Sequence, residues 1–166
     1  MKKILLPALI IILLTSCDKN TEDFKPADFA CDGLITDPNN NGDDGIFFMP
    51  NAFTANKDGL NDTCKPICRN IASINFTLFD VNGNTVFTTT QLNNGWAPAT
   101  GTANATKYYY RIQAVTIKNR RIGDCGTVYD LSCIPKNINY TMLTFEDMLA
   151  LSGFVGVTRE NLSNCP

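Results

Sequence analysis

Ser73-Ile74-Asn75-Phe76-Thr77-Leu78-Phe79-Asp80-Val81-Asn82-Gly83-Asn84-Thr85-Val86-Phe87-Thr88-Thr89-Thr90 decides the fold class. Ile74, Phe76 and Leu78 alternate with Ser73, Asn75 and Thr77, the two-residue period of a strand with one buried face. Asn82-Gly83 is a hairpin signal, because both residues tolerate positive φ. The β-branched run from Thr85 to Thr90 returns as the partner strand. Working outward, Asn93-Asn94-Gly95-Trp96 marks another turn and places the only tryptophan where it plugs a core. Gly101 to Thr106 is a small-residue loop. Lys107 to Ile117 is the longest strand, with Tyr108, Tyr110, Ile112 and Ala114 on one face and Tyr109, Arg111, Gln113 and Val115 on the other. Lys118-Asn119-Arg120-Arg121 turns it, and Gly126 to Leu131 is a further strand. On the N-terminal side Ile46-Phe47-Phe48-Met49 is a short apolar strand stopped by Pro50, and residues 50–70 read as one long loop. Short strands at about ten-residue spacing with Gly/Asn turns predict an all-β antiparallel sandwich.

The two ends differ from this texture. Met1-Lys2-Lys3, the apolar run Ile4 to Leu14 and the small residues before Cys17 form a secretory signal peptide over 1–16. The run is too short to span a bilayer. The segment resembles a bacterial lipoprotein signal, and by that resemblance Cys17 becomes the first mature residue and carries acyl chains. More than one chain gives stable anchoring. Residues 17–45 are poor in large apolar side chains and read as a lipidated, flexible Asn/Asp/Gly tether. The sandwich occupies 46–132, and a cysteine-containing extension 133–166 follows. Within it Thr144 to Leu151 has the pattern of one short amphipathic helix, with Thr144 as cap and Gly153 as stop.

Removal of residues 1–16 leaves 12 basic and 16 acidic residues, a net charge of −4. That balance excludes nucleic acid as a partner, which requires a basic footprint. It also leaves membrane attachment to the lipid rather than to charge. The chain has no histidine, so it lacks the commonest general base and the usual zinc ligand. Cys31, Cys64, Cys68, Cys125, Cys133 and Cys165 form an even set in an exported chain, which reads as a disulfide framework with fifteen possible pairings. Cys64–Cys68 as a tight loop and Cys125–Cys133 across a short strand are the plausible local pairs. Cys31–Cys165 would then tie the two ends together.

Met49-Pro50-Asn51-Ala52-Phe53-Thr54-Ala55-Asn56-Lys57-Asp58-Gly59-Leu60-Asn61-Asp62-Thr63 resembles the opening of the gliding motility-associated C-terminal domain family. That family is also known as the type B sorting domain of type IX secretion. Its members open Pro-Asn-Ala-Phe-Thr-Pro-Asn-Gly-Asp-Gly-Ile-Asn-Asp. Pro50, Asn51, Phe53, Thr54, Asn56, Asp58, Gly59, Asn61 and Asp62 match it. Leu78 to Phe87, Asn94-Gly95-Trp96 and Tyr108 to Ile112 are similar to later parts of the family pattern, in the same order. The resemblance implies a small Ig-like β-sandwich and a Bacteroidetes-type envelope. The family module normally ends its chain, whereas here residues 133–166 follow it.

Two Asn/Asp-rich segments have alternative readings. Asp58-Gly59 and Asn61-Asp62 either hold a fixed turn through their own backbone or bind Ca²⁺. Asp37, Asn39, Asn41 and Gly42 copy the first half of an EF-hand loop, with Asp43 or Asp44 as a substitute ligand; the alternative is an ordinary Asn/Gly linker. No cofactor is otherwise indicated. The serines have no histidine base, and the chain is read as non-enzymatic. Taken together, these features describe a lipid-anchored protein of the outer membrane or cell surface. Its sandwich is an interaction or sorting module linked to type IX secretion and gliding, with envelope or secretion-machinery proteins as partners. The alternative is a surface lipoprotein that binds a glycan or a calcium-dependent partner on the same scaffold, with Trp96 and Tyr108 to Tyr110 available to stack on sugar rings.

Overall fold

A computed structural model describes residues 24–99 and 105–166. The signal peptide 1–16, Cys17 and most of the loop from Gly101 lie outside the described residues. The elements are α1 (Asp28–Cys31), β1 (Ile46–Phe48), β2 (Ala52–Phe53), β3 (Ile67–Arg69), β4 (Ile71–Phe79), β5 (Thr85–Thr89), β6 (Ala105–Thr116), β7 (Arg121–Leu131), β8 (Leu149–Ala150) and β9 (Gly153–Phe154). The main sheet has five strands in the order β2-β7-β6-β4-β5. It is antiparallel except at one edge, where β2 runs parallel to β7 and Ala52 faces Tyr129. A β1–β3 ribbon lies over one face, and β8–β9 form a separate small hairpin. This is the all-β sandwich expected from the strand pattern.

Alternation positions the core. Ile74, Phe76 and Leu78 of β4 stand opposite Ala114, Ile112 and Tyr110 of β6. With Val128 and Ile122 of β7, all are buried, and Phe47, Met49, Phe87 and Trp96 pack against them. Trp96 meets Tyr108 edge-on at 5.1 Å and Phe53 at 6.2 Å, the geometry that aligns a ring edge with a neighbouring face. Gly126 is required by close approach: a Cβ there would lie 2.5 Å from the Tyr110 ring. Tyr110 crosses this gap to donate its hydroxyl to Asp124 at 2.9 Å.

Four expectations change. The stretch 50–70 is not one loop, because Ala52–Phe53 and Ile67–Arg69 are strands. At the hairpin only Gly83 takes positive φ (84°), and Asn82 does not. The Asp80 carboxylate instead accepts the Asn82 and Asn84 amides at 2.8 and 2.9 Å and shapes the turn. β7 begins at Arg121, five residues before the expected Gly126, since Arg121 to Cys125 pair fully with β6. The amphipathic helix from Thr144 is reduced to a 3-10 turn, Glu146–Met148, followed by the β8–β9 hairpin. An eight-residue helix is marginal on its own, and this one is overruled by strand pairing of Leu149 with Phe154.

The arm from Phe24 to Asp37 is not a free tether, since it lies along the outer face of the sheet. Phe29 packs edge-on against Phe79 and Tyr109, each at 5.5 Å. Ile35 exchanges two hydrogen bonds with the Gln113 side chain, both at 2.9 Å. Cys31 is bonded to Cys125 and Cys133 to Cys165. These replace the expected Cys125–Cys133 and Cys31–Cys165 pairs. Cys125 points to the outer face of β7, where the arm lies, while Cys133 follows the strand end and meets the returning tail. Cys64 and Cys68 are free thiols rather than a loop-closing pair.

Candidate functional site

The motif Pro50 to Asp62 forms the β2 edge and the loop that leaves it. Phe53 is buried against Trp96 and Thr54 is fully buried. Thr54 donates its amide to the Asn61 carbonyl at 2.9 Å, closing the loop at its base. Inside, each Asx side chain serves the backbone. Asn56 Oδ1 accepts the Asp58 amide at 3.0 Å, and Asp58 Oδ1 accepts the Leu60 amide at 2.9 Å. Asp62 accepts the amides of Lys57 (2.6 Å) and Gly59 (2.8 Å). Lys57, Gly59 and Asn61 have φ of 66°, 90° and 52°. Gly59 bears this without strain, Asn61 tolerates it and Lys57 does not. The family pattern carries Gly where this chain has Lys57.

The donor set does not fit a calcium ion. Asp58 and Asp62 spend their oxygens on amides within the loop. Asp37, in the other candidate segment, forms a two-pronged pair with Arg121 at 2.7 and 3.0 Å. That guanidinium holds the Asp37 carboxyl down at about 2. Asn39 and Asp43 close a ring of side-chain and backbone bonds at 2.7 and 2.8 Å. The Asp43 side chain is buried, where it accepts hydrogen bonds from Thr116, the Gly45 amide and Arg120. These bonds, the Thr116 hydroxyl foremost, keep its pKa below the usual carboxylate range. Asn41 is exposed. Among the described residues no three His, Cys, Asp or Glu side chains converge on a metal position.

Two motif asparagines do work that sequence reasoning missed. Thr144 O accepts the amides of Asn51 and Ala52 at 3.0 and 3.2 Å. The Asn51 side chain accepts the Thr144 amide at 2.6 Å and donates to Met142 O at 2.8 Å. The extension thereby seals the β2 edge. Asn61 is buried, accepts the Asp147 amide and donates to Glu160, both at 3.0 Å. Its place in an Asx-rich turn was the one legible signal; partners 86 and 99 residues away were not. Ile138, Leu143 and Phe145 of the extension then bury Tyr129, Leu131 and Ala52 in a second apolar cluster.

Between the loop and the extension lies a cleft of about 710 Å³, lined by Asn61, Asp62, Lys65, Cys68, Glu146 and Asp147 among others. Lys65 and Glu146 pair across it at 3.0 Å. Burial pushes the Cys68 thiol up to about 11 and the Cys64 thiol well above its ordinary range. Neither is a thiolate at neutral pH, so neither is poised as a nucleophile.

Residues 47–129, half of the chain, match the family model described as the CHU_C type IX secretion signal domain. No curated protein and no solved structure matches. A type IX secretion signal domain implies a secreted or cell-surface protein. Among the described residues no helix is long and apolar enough to cross a membrane.

Proposed function

The chain belongs to the type IX secretion signal domain family, and from that premise we propose a non-enzymatic, lipid-anchored envelope protein whose sandwich contacts the secretion and gliding apparatus. The observation that supports this reading is the family module at 47–129 downstream of Cys17, whose preceding residues resemble a lipoprotein signal. Cys17 holds the protein on the outer membrane or cell surface, and the rigid motif loop and extension form the contact surface. The absence of histidine from the chain and the high thiol pKa values of Cys64 and Cys68 support a binding rather than a catalytic role.

Protease accessibility on intact cells tests this reading. In cells with a working type IX machinery the protein is expected in the membrane fraction and open to external protease. In cells lacking the machinery, external accessibility is expected to fall. Unchanged exposure without the machinery would sink the link to type IX sorting. A mass for Cys17 without acyl chains, or no precursor accumulation with globomycin, would sink the anchor.

A further inference from the structure

From Met148 to Thr158 the chain carries no charged residue: Met-Leu-Ala-Leu-Ser-Gly-Phe-Val-Gly-Val-Thr. Four of its large apolar side chains face solvent: Leu151 is 53%, Phe154 66%, Val155 56% and Val157 86% exposed. Scattered exposed apolar residues are ordinary, but four within seven positions are not.

The segment is also held firmly. Asp147 and Arg159 flank it, and Asp147 Oδ2 accepts the Arg159 amide at 2.8 Å and faces its guanidinium at 3.7 Å. Asn61 takes the Asp147 amide. Above this neck, Val155 donates to Met148 O at 2.9 Å and Arg69 donates to Leu151 O at 2.9 Å. Gly153 is buried beside the Phe48 ring, where a Cβ would stand 3.7 Å from it. The backbone is anchored at these points while the apolar side chains are left outside. An unstructured tail would show the second feature without the first.

We infer that the 148–158 loop inserts its apolar tip into the membrane surface that carries this chain's own acyl anchor, an inference that rests on the lipid-anchor reading. Phe24 lies seven positions after Cys17, a stretch that reaches about 25 Å at most. Phe24 packs in the same apolar cluster as Met148, the first residue of the loop. The arm and the loop thus both start from one apolar cluster, and a tether of this length lets a bilayer that holds Cys17 meet the tip. The composition favours lipid over protein: the hot spots of protein interfaces are enriched in Trp, Tyr and Arg with Leu and Val under-represented, whereas 148–158 has none of the first three and two each of Leu and Val. The mature chain is net acidic, so an uncharged tip is the part that approaches an anionic surface without repulsion. Insertion of Phe154 and Val157 adds apolar burial to the acyl chains and fixes the orientation of the sandwich against the membrane.

The test uses the mature protein extracted from membranes and reconstituted in phosphatidylcholine vesicles with brominated acyl chains. Wild type reports through Trp96 alone; F154W, V157W and, on the far edge of the sheet, V86W each add one indole. The expected result is strong quenching of F154W and V157W, with V86W no more quenched than wild type. Equal quenching of F154W and V86W overturns the inference. In cells, a photo-reactive phenylalanine at position 154 is expected to gain lipid mass, and a protein adduct there overturns it in favour of a docking surface. The mass of Cys17, measured on the same sample, keeps the two readings apart. An acylated chain with an unquenched F154W overturns the loop insertion alone, whereas an unacylated chain overturns the anchor, and with it insertion beside that anchor, whatever F154W reports.

Discussion

The two faces of β6 differ in composition and are covered by different means. Tyr108, Tyr110, Ile112 and Ala114 are buried by neighbours within the domain, chiefly β4, β7 and the β1–β3 ribbon. Tyr109, Arg111, Gln113 and Val115 face the other way, where an isolated module would be wet. Here they are only half-exposed, because the N-terminal arm lies across them and is bonded there through Cys31–Cys125. The lower end of that face is sealed by the extension, through Leu143 and Phe145. One face is closed by the period of the strands themselves. The other is closed by two segments that carry no strand pattern and rely on two disulfides, ion pairs and two asparagines.

That difference can be broken at unequal strengths. Phe76→Ala on the inner face removes a fully buried ring that meets Phe87 at 5.9 Å and is expected to cost about 4 kcal/mol in denaturant unfolding. The double change C31S/C125S frees an arm joined across 94 residues and is expected to cost about 3 kcal/mol. Its signature is a gain of amide exchange over 24–37 while β4 and β6 stay protected; uniform loosening would mean the two faces are one unit. Asn51→Ala leaves the Thr144 amide without its acceptor and is expected to cost about 2 kcal/mol, with exchange rising first in the extension.

A smaller effect runs in the opposite direction. Lys57 holds φ of 66° in the motif loop, so Lys57→Gly is expected to raise stability by about 1 kcal/mol. No gain in the unfolding midpoint would mean the loop side chains already compensate the strain. The smallest expected effect is a local one with pH. Asp37 has its carboxyl held at about 2 by Arg121, below the ordinary 3.8. A lowered folded-state value stabilises fully above the unfolded value and is lost as pH falls from about 4 towards 2. Exchange over 34–39 is therefore expected to rise in that window, and Asp37→Asn is expected to abolish the pH dependence of that segment.

The inner face was readable because alternation is local: a side chain two positions on returns to the same side whatever the rest of the chain does. Ile74, Phe76, Leu78 and the even-numbered residues of β6 needed no partner to be assigned. The Asx loop was readable for the same reason, since Asn56, Asp58 and Asp62 serve amides within five residues. What failed to be legible was long-range. The arm reads as a linker because its apolar residues are few, yet Phe24, Phe29 and Ile35 each find a place on a sheet formed 40 or more residues later. Thr144 to Leu151 reads as a helix because a short apolar stripe fits either period, and only Phe154 and Asn61 decide against it.

By itself the sequence determined a strand-built domain and the residues of its inner core, which short-range period carries, and its likeness to the type IX secretion signal family, which the Pro50 to Asp62 motif carries. Tertiary structure alone decided which cysteines join, what the motif asparagines hold and how the outer face is covered. The physical reason is separation along the chain: contacts between residues some ninety positions apart are set by where the sheet places them, and no local pattern encodes that distance.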